Sequence, residues 1–94
     1  MIEVKRIGND PVLEFEVVVR EPANQSRYHV TLEPNLCQRL VAGRFSPERV
    51  LKAAFAFLLD REPKEAILTR FDLSVISLYF PEFERELPRY LAET

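Results

Sequence analysis

The stretch Ala53-Ala54-Phe55-Ala56-Phe57-Leu58-Leu59 places seven consecutive apolar residues inside one predicted helix. Ser46 suits its N-cap, Pro47 its first helical position and Glu48 the positive end of its dipole, so the helix starts at Ser46 and runs to about Arg61. At about 100° per residue, Leu51, Phe55, Leu58 and Leu59 share one facet and Val50, Ala53, Ala54 and Phe57 an adjoining one. Lys52, Arg49, Asp60 and Ala56 form the narrow strip left over. An apolar arc this wide needs cover on two sides. Either the helix is central to its own fold, covered on both sides by the rest of the chain, or its Val50, Ala53 and Phe57 facet also meets a second copy, in which case Phe57→Glu should yield a soluble monomer.

Upstream, Val12 to Arg20 alternates, with Leu13, Phe15, Val17 and Val19 on one face and Glu14, Glu16, Val18 and Arg20 on the other. Arg27 to Glu33 also alternates, setting Tyr28, Val30 and Leu32 against Arg27, His29, Thr31 and Glu33. Glu21-Pro-Ala-Asn-Gln-Ser26 between them has hairpin-loop chemistry. With Arg20 opposite Arg27, Val19 meets Tyr28, Val17 meets Val30 and Phe15 meets Leu32, so both apolar faces coincide. Glu33-Pro34 then opens a short helix with Leu36, Cys37, Leu40 and Val41 as its stripe, which Gly43 can stop in a left-handed conformation.

Downstream, Glu62-Pro63 ends the central helix. Proline-punctuated helical turns are expected over Lys64 to about Arg70, Leu73 to Phe80 and Glu82 to Leu87, with Pro88 breaking the pattern. The resulting architecture is α+β over a single domain, residues 1–94. A two-stranded antiparallel β-hairpin packs on the central amphipathic helix, and the C-terminal turns close the other side.

Composition narrows the function. At 47% hydrophobic and 30% charged residues the chain can bury enough surface to fold. A formal net charge of −2 gives no global attraction for nucleic acid or an anionic membrane. The apolar run falls far short of the roughly 20 residues of a membrane span. Residues 1–11 carry Glu3 and no continuous apolar core, unlike a secretory or transit leader, so a cytoplasmic location is expected. One cysteine, Cys37, cannot form an internal disulfide and reads as a small buried apolar residue.

Chemistry-bearing residues are sparse. His29 is the only histidine and falls mid-strand on the expected solvent face, with no orienting partner in view for a general base. One His and one Cys on different elements make no metal site, and the two glycines, Gly8 and Gly43, make no phosphate loop. Glu82, Glu84 and Glu86 interleave with Arg85 and Arg89 as a surface ion-pair lattice. Among Tyr79, Phe80, Phe83 and Tyr90, the phenylalanines share a stripe with Ile76 and Leu87, whereas Tyr79 and Tyr90 are the candidates to meet a partner. No catalytic residue, cofactor or small-molecule substrate is assigned.

From Arg27 to Arg61, the strand-helix-turn-helix order, Val30-Thr31-Leu32-Glu33-Pro34 and the spacing Leu51-x-x-Ala54-Phe55-x-x-Leu58-Leu59 resemble the ribbon-helix-helix family of dimeric bacterial DNA-binding proteins. The resemblance implies a strand paired with its dimer mate, Arg27, His29 and Thr31 facing the major groove, and Ser46 contacting phosphate. Glu14 and Glu16 on that same face would repel phosphate. The segment Arg70 to Leu87 is similar to short bacterial conserved proteins to which the resemblance attaches no activity, and it implies a bacterial cytosolic origin. The expected function is therefore a non-enzymatic protein-interaction or regulatory module that self-associates as a homodimer. A ribbon-helix-helix-like transcriptional regulator is the alternative, and only under it is nucleic acid a partner.

Overall fold

The computed structural model describes residues 1–93. In chain order it contains β1 (Ile2–Gly8), β2 (Leu13–Arg20), β3 (Gln25–Leu32), α1 (Pro34–Val41), α2 (Pro47–Leu59), a 3-10 turn (Lys64–Ala66), β4 (Arg70–Asp72), α3 (Val75–Tyr79) and α4 (Phe83–Glu93). The α+β class holds, but the two-stranded sheet does not. The strands form one four-stranded mixed sheet in the order β1-β2-β3-β4, antiparallel except for the parallel pair β3/β4.

Both added strands have physical reasons to exist. Two strands offer too little hydrogen bonding and buried surface to be stable alone. β1 places Ile2 and Val4 against the core on the inner face, and Lys5 and Glu3 on the outer one. β4 is three residues held by register, with Val30 opposite Phe71 and the Leu73 amide donating to Thr31 O at 2.8 Å. It lies where the first expected helical turn, Lys64 to about Arg70, gives way to the second at Leu73.

The hairpin is tighter than expected. Glu21 and Asn24 exchange backbone bonds at 2.9 and 3.2 Å, leaving Pro22-Ala23 as the turn. Arg20 therefore faces Gln25, Val17 faces Tyr28 and Phe15 faces Val30. The register has moved by two residues from the expected pairing, which preserves the inward-facing set because side chains alternate with period two.

α2 is the middle of three layers. Phe55 and Phe57 lie on opposite sides of it. Phe55 packs on the sheet through Tyr28 (ring centroids 5.1 Å apart) and Phe71 (6.0 Å). Phe57 packs on the C-terminal helices through Phe83 (5.1 Å), Tyr90 (5.7 Å) and Phe80 (5.9 Å), each edge-on. The second cover of the apolar run thus comes from α3, the turn after it and α4.

α4 continues through Pro88, where a break was expected. Proline costs one backbone bond there, and Pro88 lies on the exposed side. The helix is held by bonds that reach other elements. Glu84 receives a two-pronged bond from Arg39 of α1 (2.6 and 3.1 Å), and Glu82, just before α4, pairs with Arg61 at 3.1 Å. Of the expected lattice, Glu86–Arg89 (3.4 Å) and Arg85–Glu86 (3.7 Å) lie within the helix.

Candidate interaction site

Beyond the C-terminal end of α2 the chain must turn back to reach the sheet, and the turn builds a groove. Pro63 introduces the 3-10 turn, which is pinned from the sheet by the Tyr28 hydroxyl donating to Lys64 O at 2.7 Å. Lys64 is 4% exposed, its ammonium held by Glu65 (2.7 Å) and by Glu21 of the hairpin turn (3.4 Å). The chain then runs through β4 into α3. Asp72 fixes that corner by accepting from the Thr31 hydroxyl and from the Ser74 amide at 3.1 Å. Burial pushes the Asp72 carboxyl up, but the bonds from Thr31 and Ser74 outweigh it and hold the group below the usual range.

The space enclosed is a groove of about 380 Å³. Buried Leu58, Ile67 and Ile76 form its base, and Leu68, Phe71, Val75 and Tyr79 its walls. Leu68 is 52% exposed and Tyr79 69%, so large apolar surface stands open at the rim. Leu78, 79% exposed, lies next to Tyr79 on the same short helix. Glu62 is the charged lining residue, and it has no ion-pair partner among the described residues.

Tyr79, expected only as an exposed aromatic able to meet a partner, stands at the rim of this groove, and its other lining residues were not among the expected interface positions. Leu68 falls within the helical turn expected over Lys64 to about Arg70 and Phe71 just past it, whereas in the structure the chain turns to extended backbone at β4 and both line a common space. The other expected interface positions lie elsewhere. Val50, Ala53 and Phe57 are 0% exposed, covered by the chain's own C-terminal helices, so that facet offers no surface to a second copy. Tyr90, also expected at the surface, is 3% exposed. Its hydroxyl donates to Asp60 Oδ2 at 2.6 Å and accepts from Arg61 (3.2 Å) and Arg89 (3.1 Å). The Arg61 guanidinium in turn lies 3.7 Å from the Phe57 ring centroid.

Arg27, His29 and Thr31 do share the open face of the sheet, but each is engaged. Arg27 pairs with Glu16 (3.4 Å), His29 with Glu14 (2.9 Å) and Thr31 with Asp72. Carboxylates and cations interleave there, and β3 is paired along its whole length with β2 and over His29–Thr31 with β4. Ser46 accepts from the Arg49 amide at 3.2 Å as an ordinary helix cap. Cys37 is buried on α1, and burial pushes its thiol up, away from the reactive thiolate. Among the described residues no group of three His, Cys, Asp or Glu side chains could hold a metal ion, and no helix is long and apolar enough to cross a membrane. No protein-family model, curated protein or solved structure matches the chain.

Proposed function

We propose that this protein is a non-enzymatic protein-interaction module whose binding site is the groove between the 3-10 turn, β4 and α3, and that it takes a short apolar segment carrying a basic residue. The open apolar rim carries this reading: Leu68 and Tyr79 are large, exposed and adjacent to a preformed concavity. Glu62, with no ion-pair partner among the described residues, supplies the polar selectivity, favouring Lys or Arg in the bound segment. His29 and Cys37, the side chains best suited to acid–base or nucleophilic chemistry, support the reading by their placement, the first hydrogen-bonded to Glu14 on the far face of the sheet and the second buried.

Selection of displayed peptides on the immobilised protein, with counter-selection on Leu68→Glu, tests it. Enriched sequences should combine aromatic or aliphatic residues with Lys or Arg. Their affinity should fall at least tenfold, about 1.4 kcal/mol, on Glu62→Lys. Peptides that bind wild type and both variants equally, or a selection that enriches none, would remove the groove as the site.

A further inference from the structure

β1 is an edge strand, and its free side is complementary to itself. Met1 and Arg20 exchange backbone bonds (2.9 and 2.8 Å), which fixes the parity of the β1/β2 ladder. The N–H and C=O groups of Ile2, Val4 and Arg6 therefore point away from β2, toward open solvent. Those groups are a template for another strand.

Side chains select which strand. On the outer face β1 presents Met1, Glu3, Lys5 and Ile7 in succession. Met1 is 79% exposed and Ile7 52%. Glu3 pairs with Arg20, while Lys5 has no ion-pair partner among the described residues. Laying a second β1 antiparallel along the first, with Val4 opposite Val4, puts both charged residues against their complements within the regular part of the strand, which ends at the register shift after Arg6. Glu3 meets Lys5 of the second copy and Lys5 meets Glu3, while exposed Met1 and Ile7 lie at the two ends of the paired stretch. The parity is right for this register. Val4 forms the hydrogen-bonded pair on the two-fold axis, each Ile2 exchanges bonds with Arg6 of the second copy, and the charged pairs fall at the closely spaced positions between them. The neighbouring symmetric registers, two residues off, set Glu3 against Glu3 or Lys5 against Lys5. An edge lysine ordinarily blocks pairing, but here the acid two residues before it turns the same charges into a register lock.

We infer that the chain forms a two-fold dimer by antiparallel β1–β1 pairing centred on Val4, joining two four-stranded sheets into one continuous sheet. The dimer is independent of the groove, which lies beside β4 at the opposite edge of the sheet.

Sedimentation equilibrium over a wide concentration range tests this with two charge variants, each checked for native circular dichroism. Lys5→Glu sets Glu against Glu and Glu3→Lys sets Lys against Lys. Each alone should weaken self-association at least tenfold, and an equimolar mixture should restore a heterodimer, because Glu3 and the new Glu on one chain then face the new Lys and Lys5 on the other. Val4→Pro, which removes the central outward N–H, should also give monomer. A wild-type chain that stays monomeric to its solubility limit overturns the inference, as does a dimer indifferent to both charge variants or a mixture that remains monomeric.

Discussion

Ala42 takes φ 51°, ahead of Gly43 at φ 77°, so two residues in succession adopt the left-handed conformation after α1. Glycine does this without steric penalty, whereas alanine sets its Cβ against the backbone. Ala42→Gly should therefore raise stability by up to about 1 kcal/mol, read as a higher denaturation midpoint with unchanged slope. The stop at Gly43 was legible because glycine after an amphipathic run has one common use. Its extension to Ala42 was not, since nothing in alanine's chemistry advertises a positive φ. Tyr90 shows the same limit more sharply. A tyrosine near a chain end reads as an amphipathic surface residue, yet its hydroxyl is fixed by Asp60, Arg61 and Arg89, of which the first two lie some thirty residues away in sequence. Tyr90→Phe keeps the ring against Phe57 and removes those bonds, and thermal unfolding should show a loss of about 1 to 2 kcal/mol.

At the scale of elements, what could be read depended on whether the signal was periodic. Val12 to Arg20 and Arg27 to Glu33 alternate, so β2 and β3 and their inward faces were legible, as was α2 from its cap and its wide arc. β1 was missed because its alternation fails at Arg6, whose guanidinium sits on the inner side in a two-pronged bond to Glu48 of α2 (2.8 and 2.9 Å). β4 was missed because three residues cannot display a period, and what makes Arg70–Asp72 a strand is the prior existence of β3. Asp72 is the fastener of that corner, and it should register in acid. Its folded carboxyl lies below the ordinary range, so its contribution is complete above the unfolded value of about 4 and is lost as pH falls through the folded value. Melting temperatures should accordingly fall less steeply below about pH 4 for Asp72→Asn than for wild type, from a lower starting point at neutral pH. The cap of α2 belongs to the same scale. Ser46→Ala should cost about 1 kcal/mol by leaving the Arg49 amide without its acceptor, whatever nucleic acid is present.

At the scale of the whole molecule, the question posed by the apolar run in α2 was which body covers its second side. For a chain of 94 residues, cover by its own C-terminal turns and cover by a second copy were both open, because helical periodicity alone does not tell a core facet from an interface facet. The distinction came from contacts distant in sequence: Phe83, Leu87, Tyr90 and Leu91 of α4 are all buried in the same cluster as Val50, Ala53 and Phe57. The radius of gyration, 12.3 Å, is what a compact chain of this length takes up, about 12 Å, so the three layers close on themselves. This reverses the expectation for Phe57→Glu. An interface residue made acidic would leave a folded, soluble monomer. Phe57 instead lies among Phe80, Phe83 and Tyr90 with no exposed surface, and Arg61 above its ring is already engaged by Glu82 and Tyr90. A carboxylate placed there loses the ring's packing, about 3 to 5 kcal/mol, and adds the cost of burying charge. Against a total stability of about 5 to 14 kcal/mol for a domain this size, Phe57→Glu should largely unfold the chain at room temperature, seen as loss of far-ultraviolet circular dichroism and of the cooperative thermal transition. A soluble, fully folded Phe57→Glu monomer would mean that α4 does not cover this face in solution, and the three-layer packing would be wrong.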